Sequence, residues 1–591
     1  MTHPAPPPPA PNVPPAAGTV GPKSGSGGLD PVLRAVLGLA LLLPAALALL
    51  WSYVLPTLST VRSSFRRESP LRDRPTESAG LENYRDVFDA GLVGHIGFAL
   101  LLGLLPLVLA LLAAPLLAVV AARAGRAARL VTRGVLALPL AGYAPVALLL
   151  GWRFDRIDPE SFADHPRIHL VTASAAVTFG LVVAVAATAY LSALRDRAPA
   201  AVPAPSAGLP GGPGTVPGSS GPVLSGAGLA SRLPLPALLT VAGFLILGVL
   251  AAALQIYSIP SLLTNGPQDA THTPLVDMVQ ASFQRYEFGT GAAVSTVLGL
   301  LLGLLGLGAT GLLLATRARL EFDGWRDAPG ASGGHRQAPV FLALAVLGLV
   351  VFLAVHGWAI TPWLTDALSG DGTLLRSDDV SQAYVNTWLP PLPSALVGVV
   401  LAALAGFGIG ALRPLGRWSE LLLLPFAPWL FVGLGPLALA NYQRAVESGQ
   451  INTFLGLIPP SWLSVPALFA FTLLFRGQQR RWRAGGGFGR TLVLPALPML
   501  GLAVLLSWLV HAQHQLWPLL VATELDHMPA TIIAQRLAAA WLGTVDGALS
   551  PVLPLPVLLL FLLAFVALQI GYLDRLAIRV GRAADGTPEH H

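Results

Sequence analysis

The chain is 591 residues long, 54% hydrophobic and only 11% charged, with a mean hydropathy of +0.67. Soluble domains carry about a quarter charged residues, so a soluble globular protein is excluded, and the long apolar runs exclude fibrous and disordered chains. The absence of cysteine removes disulfides, thiolate metal sites and cysteine nucleophiles. The 53 prolines and 62 glycines fit membrane helices, where both are commoner than in soluble ones.

Residues 1–29 are mostly Pro, Ala, Gly and Ser. They cannot bury a core and are expected to be a disordered tail; they lack the apolar h-region of a cleaved signal. A helix needs roughly 20 apolar residues to cross a hydrocarbon layer of about 30 Å. Runs of that kind lie at about 31–56, 92–121, 134–152, 169–194, 235–260 and 291–315. A second set lies at about 339–365, 387–412, 420–442, 461–475, 493–522 and 547–573, of which 461–475 is the shortest. The expected fold is therefore an all-α polytopic membrane protein, with about twelve transmembrane helices in two six-helix bundles. The bundles are residues 30–319 and 338–580, joined by a Gly-rich linker at 320–337 and followed by a tail at 581–591. A Pro/Gly/Ser tract at 198–230 is a low-complexity loop inside the first bundle. Segments 262–290 and 523–545 are too polar to cross and are expected to be short helices on the outer face. The first of them carries Leu275, Val279 and Phe283 near a helical repeat.

Charge sets the orientation. With the N-terminus inside, inner segments hold 23 Lys/Arg and 9 Asp/Glu, and outer segments hold 13 and 21. The inner excess is what the positive-inside rule requires, so both termini and the linker are expected in the cytoplasm. The compact basic groups are Arg123, Arg126, Arg129 and Arg133, then Arg317, Arg319, Arg326 and Arg336, then Arg476, Arg480, Arg481, Arg483 and Arg490. The pI near 9.9 is thus a topology signal, and no nucleic-acid partner is expected.

Several stretches look familiar. Gly80-Leu81-Glu82-Asn83-Tyr84 closes the first outer loop, and Leu262 to Leu298 reads LLTNGPQDATHTPLVDMVQASFQRYEFGTGAAVSTVL. The first resembles the "GLxNY" sequence of carbohydrate-type (maltose-type) ABC importer permeases. In the second, Thr264, Gly266, Pro267 and Thr273 resemble the family's "LT-x-G-P…T" turn, and Gly289, Ala292, Ala293 and Ser295 its "G-x-A-A-x-S" lead-in to the last span. The second half is similar to the partner permease. Asn386-Thr387, the turn INTFLGLIPP with Asn452 and Thr453, QLWPLLVAT from Gln515 to Thr523, and Gln569 fall in the family's order. The resemblance covers nearly all of 31–580, in patches, as though both partners were fused in one chain.

This resemblance implies a permease for a small solute, a sugar by family, working by alternating access in a bacterial cytoplasmic (inner) membrane. It implies two cytoplasmic ABC ATPase subunits and an extracytoplasmic solute-binding protein as partners, besides membrane lipid. The binding protein would meet loops bearing Asn83, Tyr84, Thr264, Gly266, Pro267, Asn452 and Thr453. One departure concerns coupling. The family's "EAA…G" loop docks a short helix on the ATPase, but here Arg195-Asp196-Arg197-Ala198-Pro199 leads into the Pro/Gly/Ser tract, which cannot hold that helix. The second loop, 476–492, keeps Leu494, Pro495 and Pro498 but has no acidic residue and three consecutive glycines. If an ATPase docks, Arg480, Arg481, Trp482 and Arg483 are the candidate contacts.

Polar residues inside apolar spans are costly and usually face a cavity or a partner. Gln255 and Tyr257 near the end of the fifth span, and His511, His514, Gln515 and Trp517 with Trp508 near the end of the eleventh, are the candidate substrate path. Amides and imidazoles suit hydroxyls, and aromatic faces suit sugar rings. The alternative is an interfacial belt wetted by headgroups. His356 beside Trp358 reads as an interhelical histidine, and no metal site is expected, His590-His591 included. No G-x-x-x-x-G-K-[ST] is present, and no H-E-x-x-H, G-x-S-x-G or paired carboxylates lie inside the spans, so no enzyme or bound cofactor is expected and ATP hydrolysis would fall to another subunit. Two rivals stand beside the importer: a permease-derived scaffold or regulator without transport, which the lost coupling loops permit, and a secondary transporter. The near absence of charge in mid-span counts against the secondary transporter.

Overall fold

A computed structural model describes residues 30–69, 77–195, 234–264, 271–324, 339–369, 377–539 and 549–581. The N-terminal tail, the whole 198–230 tract, most of the linker, the C-terminal tail from 582, and Gly266 and Pro267 lie outside them. Nine helices among the described residues are long and apolar enough to cross a membrane, and a bent pair, Arg126–Ala141 with Pro145–Asp155, makes a tenth. The chain is a multi-pass α-helical membrane protein. Its crossing helices turn Leu112, Leu116, Leu300 and Leu563 outward at 64–70% exposure, a liability in water but the required surface in lipid.

In the N-terminal half the crossings are Pro31–Ser64, Leu92–Arg123, the bent pair, Pro166–Ala193, Leu235–Leu254 and Phe288–Thr316. Asp30 caps the first, its carboxylate accepting from Val32 N at 3.2 Å. Widened π turns at Leu50–Val54, Leu109–Ala113 and Gly489–Val493 each end two residues before a proline (Pro56, Pro115, Pro495). A proline ring clashes with the carbonyl four residues back, and a π turn makes room for it. Among the described residues of the segments expected on the outer face, the helices are the end of Ser258–Leu263, then Pro274–Val279 with the π turn Gln280–Gln284, the 3-10 turn Leu525–His527 and Ala530–Ala539, besides the start of Phe288–Thr316. At 1.5 Å per residue Ala530–Ala539 reaches about 15 Å, half a crossing.

The C-terminal half departs from expectation at two crossings. The run read as 420–442 is not one apolar α-helix. It is a 3-10 helix over Gly416–Trp429, an irregular turn, and a short α-helix over Ala438–Glu447. Pro425 and Pro428 remove backbone donors, and Gly433, Gly435 and Pro436 interrupt the turn after them. At about 2.0 Å per residue the 3-10 stretch alone reaches roughly 28 Å. The run read as 461–475 becomes the helix Val465–Arg483, whose last turns are polar and basic and whose end is set by Gly485 at φ +94°. Neither Gly416–Trp429 nor Val465–Arg483 is among the helices long and apolar enough to cross, and in both halves the segment in third place is the broken one.

The strands are the other departure from an all-helical reading. A short ladder pairs β1 (Arg66–Arg67) with β2 (Glu77–Ser78). More telling, β3 (Arg319–Phe322) and β4 (Leu576–Arg579) each directly follow the last crossing of a half, and they pair antiparallel, Leu320 opposite Ile578 and Phe322 opposite Leu576.

The halves pack reciprocally. The first crossing of each lies on the second crossing of the other. The last crossing of each lies on the third of the other: Phe288–Thr316 on Gly416–Trp429, and Leu555–Gly571 on Arg126–Ala141. β3 rests on Val465–Arg483, and β4 on Pro166–Ala193. Gly306 and Gly477 permit two of these approaches; a Cβ on Gly306 would overlap the Ala427 carbonyl oxygen, and one on Gly477 the Leu320 carbonyl oxygen. Buried polar bonds cross the same seams. Tyr53 donates to Leu463 O at 3.0 Å, and Trp152 Nε1 to Ala359 O at 2.8 Å.

At the arginine-rich end the seams are ionic. Asp574 accepts from Arg129 Nε at 2.7 Å, and lies 3.3 Å from Arg133 Nε and 3.8 Å from Arg195 Nη1. Glu420 sits between Arg413 at 3.3 Å and Arg476 at 3.1 Å, and Arg476 also donates to Ala318 O. Each carboxylate comes from one half and, directly or through its arginines, reaches the other.

Candidate functional site

The two polar clusters read from the sequence sit where one crossing ends and a short helix begins. Gln255 follows Leu235–Leu254, and Gln513 follows Leu494–Ala512. Tyr257 and Gln515 then begin the short helices Ser258–Leu263 and Leu516–Val521, each with a proline third from its start, Pro260 and Pro518. The true counterpart of Gln255 is thus Gln513, and that of Tyr257 is Gln515. The histidines belong to the second half alone.

These residues meet across the seam. Gln515 Nε2 donates to Gln535 Oε1 at 2.9 Å within its own half and lies 3.4 Å from Ser261 Oγ of the other. Gln255 bridges the halves independently: its Nε2 donates to Phe431 O at 2.8 Å, and its Oε1 accepts from Gly433 N at 2.8 Å. Gln255 therefore pins the irregular third crossing and is fully engaged.

His511 lies within the second half, its Nδ1 3.4 Å from Ser394 Oγ and its Nε2 3.2 Å from Ser461 Oγ. His514 accepts from Trp517 N through Nδ1 at 3.2 Å, which leaves its ring proton on Nε2, and Trp517 Nε1 donates to Gly456 O at 3.0 Å. His511, His514, Trp517, Asn386 and Thr387 line a cavity of about 10 Å³, room for about one water. Buried oxygens on Gln513, Gln515 and Thr531 have no hydrogen-bond partner. Thr531 and Gln535 are four apart and share one face of Ala530–Ala539, so the unpartnered hydroxyl lies on the face that meets Gln515. Such groups are rare in folded proteins and mark a place where a further polar group is accommodated.

The residues expected to face a binding protein are mostly occupied internally. Asn83 is buried and donates to Ser64 O at 2.8 Å and Arg66 O at 2.9 Å; Thr264 is buried and donates to Pro260 O. They shape their loops from within. Tyr84 pairs its hydroxyl with Ser64 Oγ at 2.7 Å. Asn452, at φ +54°, accepts from Thr523 N at 2.7 Å and Glu524 N at 3.2 Å, and Thr453 donates to Gln450 O. Asn386 and Thr387 hold the start of the last short helix through Asp526 O and Ala530 N.

Among the residues expected to face an ATPase, Arg481 is bonded to Phe322 O of β3 and lies 3.9 Å from Asp323. Trp482 packs with Phe407 and Phe488 at ring separations of 6.5 and 6.2 Å. Arg480 and Arg483 are exposed.

One constellation escaped the sequence reading. His95 Nδ1 and His272 Nδ1 stand 2.6 and 2.8 Å from the two oxygens of Asp277. Burial alone would raise the Asp277 carboxyl pKa, but hydrogen bonds from His272 and His95 outweigh it and leave the carboxyl below its usual range. His272 and Asp277 are five apart, but nothing local marks His95 as their partner.

No family model matches this sequence, and neither the curated proteins nor the solved structures contain a match. Fold and site together define a class: a multi-pass helical membrane protein of two reciprocally packed halves with a buried polar seam.

Proposed function

We propose that the chain is the transmembrane permease of an ABC-type importer, both permease partners fused, passing a small solute, a sugar by family resemblance. Separate cytoplasmic ATPase subunits supply the free energy, and an extracytoplasmic binding protein delivers the solute. The chain lies in a bacterial cytoplasmic membrane with its termini and arginine-rich end inside. The observation that carries this reading is the seam itself. Equivalent short helices from the two halves meet through Gln515 and Ser261, with buried unpartnered oxygens beside them. In transporters built of two repeats the solute site lies at the interface between them, and polar groups at such an interface suit a solute path. The cavity at His511 and His514 has room for about one water, so on this reading solute passage requires the helices around it to move apart.

A specific observation favours the scaffold reading in one respect. Val465–Arg483 runs unbroken to its glycine stop, and Arg481 is committed to β3; among the described residues of 476–492 no separate docking helix exists. Copurification of the full chain with an ATPase subunit, and solute-stimulated ATP hydrolysis by the complex, decides between the two. An ATPase that neither copurifies nor responds removes the importer reading.

A further inference from the structure

We infer that His95, His272 and Asp277 form a binding site for a divalent transition-metal ion of the zinc type, which fastens the 271–284 segment to the second crossing. This stands apart from the solute path and does not rest on the importer reading. His95 lies in the first turn of Leu92–Val108, at the end of the crossing opposite Arg123. His272 precedes Thr273, the residue that begins Pro274–Val279, and Asp277 lies in that helix's first turn. Two elements about 180 residues apart in sequence thus supply one ligand set.

The geometry is that of donors gathered around a point. One ligand atom from each residue lies within 4.8 Å of the others, and the imidazole centroids are 5.1 Å apart. In a tetrahedral site with bonds of about 2.0–2.2 Å, ligand atoms stand roughly 3.2–3.5 Å from one another. The present contacts of 2.6 and 2.8 Å need open by roughly 0.5–1 Å to reach that spacing, which side-chain rotation provides. Two imidazoles and one carboxylate suit zinc, cobalt or nickel; calcium and magnesium take oxygen ligands in larger number. Three protein donors leave a fourth position for water.

The surroundings favour an ion over a bare hydrogen-bonded triad. Side-chain exposures are only 10–17%, and Leu275, Val276, Met278 and Val279 around Asp277 are buried. Hydrogen bonds from the two imidazoles already hold Asp277 as a carboxylate, the form that ligates a metal, and a divalent ion would give each ligand atom a bond.

The full-length chain, purified in detergent and stripped with chelator, is titrated with zinc by calorimetry and with cobalt by visible absorption. One zinc per chain and a tetrahedral cobalt spectrum are expected. His272→Ala and Asp277→Ala should each weaken zinc at least ~100-fold, beyond the 10–100-fold typical of supporting residues, and abolish the cobalt bands. The double variant His590→Ala/His591→Ala should keep both. Because alanine variants can misfold, His272→Cys serves as a second arm: it should retain binding and add a thiolate-to-cobalt charge-transfer band. The inference is overturned if wild type binds no zinc, if binding survives both alanine variants, if it disappears with His590 and His591, or if the thiolate band is missing.

Discussion

Asp574→Ala is the perturbation whose cost the structure sets most clearly. Its carboxylate faces Arg129, Arg133 and Arg195, whose side chains are 27%, 1% and 23% exposed. Arg129 and Arg195 can turn toward solvent when the carboxylate goes. Arg133 cannot; its other contacts are neutral, Gln569 Oε1 at 3.4 Å and Ser192 Oγ at 3.2 Å. Removing one partner of a buried pair costs about 3–5 kcal/mol, because the remaining charge stays desolvated. The exposed pair Arg67–Glu82, with side chains 48% and 49% exposed, is the internal control, and Glu82→Ala should cost no more than about 1 kcal/mol. Thermal unfolding followed by tryptophan fluorescence in one detergent should place the Asp574→Ala midpoint well below wild type and leave Glu82→Ala beside it. Adding Arg133→Met to Asp574→Ala should recover part of the loss, since an apolar pair of similar volume replaces the stranded charge. Equal midpoints for Asp574→Ala and Glu82→Ala, or no recovery in the double variant, would refute the reasoning.

Gly306→Val should lower the same midpoint, by about 1–3 kcal/mol of overpacking, because the new side chain overlaps the Ala427 carbonyl; a midpoint at the wild-type value would mean the two helices are not held at that distance. Asn452→Ala removes the acceptor for Thr523 N and Glu524 N, about 1–2 kcal/mol in all, and should make that loop pair the first site of limited proteolysis, with an unchanged cleavage pattern counting against it. Trp482→Ala should loosen the aromatic group with Phe407 and Phe488 and lower the midpoint even without an ATPase present; a loss seen only as weaker ATPase association would place Trp482 at that interface instead. A cysteine at Gly333, in a chain that has no other, should resist an impermeant thiol reagent added outside cells, and ready labelling would invert the topology.

Most of the crossings were legible because uncharged runs bounded by polar loops have no alternative burial. The runs read as 420–442 and 461–475 do not form long apolar helices, for a physical reason. Hydropathy does not register Pro425, Pro428, Gly433 and Pro436 as breaks, and the polar turns to Arg483 belong to the same helix as the apolar run before them. The arginines of the inner clusters were legible as orientation signals. Their partners were not, since Glu420 and Asp574 are single acidic residues amid apolar sequence. The β3–β4 ladder joins four-residue strands some 250 positions apart, and so short an alternation has no signature of its own. Of the candidate site, the repeat of glutamine, short helix and proline at 255–260 and 513–518 is present in the sequence, and only the helix ends show that Gln513 is the counterpart of Gln255. The His95–His272–Asp277 group depends wholly on tertiary proximity.

On the proposed importer reading, the seam between Ser261 and Gln515 opens and closes as solute passes. Ser261→Cys with Gln515→Cys introduces the only two thiols of the chain, close enough for a short bifunctional thiol reagent. On that reading, vesicles holding this variant with an ATPase subunit and a binding protein should lose solute-stimulated ATP hydrolysis on cross-linking by a bis-thiosulfonate reagent, which forms a disulfide at each thiol, and regain it on reduction. Undiminished stimulation in the fully cross-linked chain would contradict the claim.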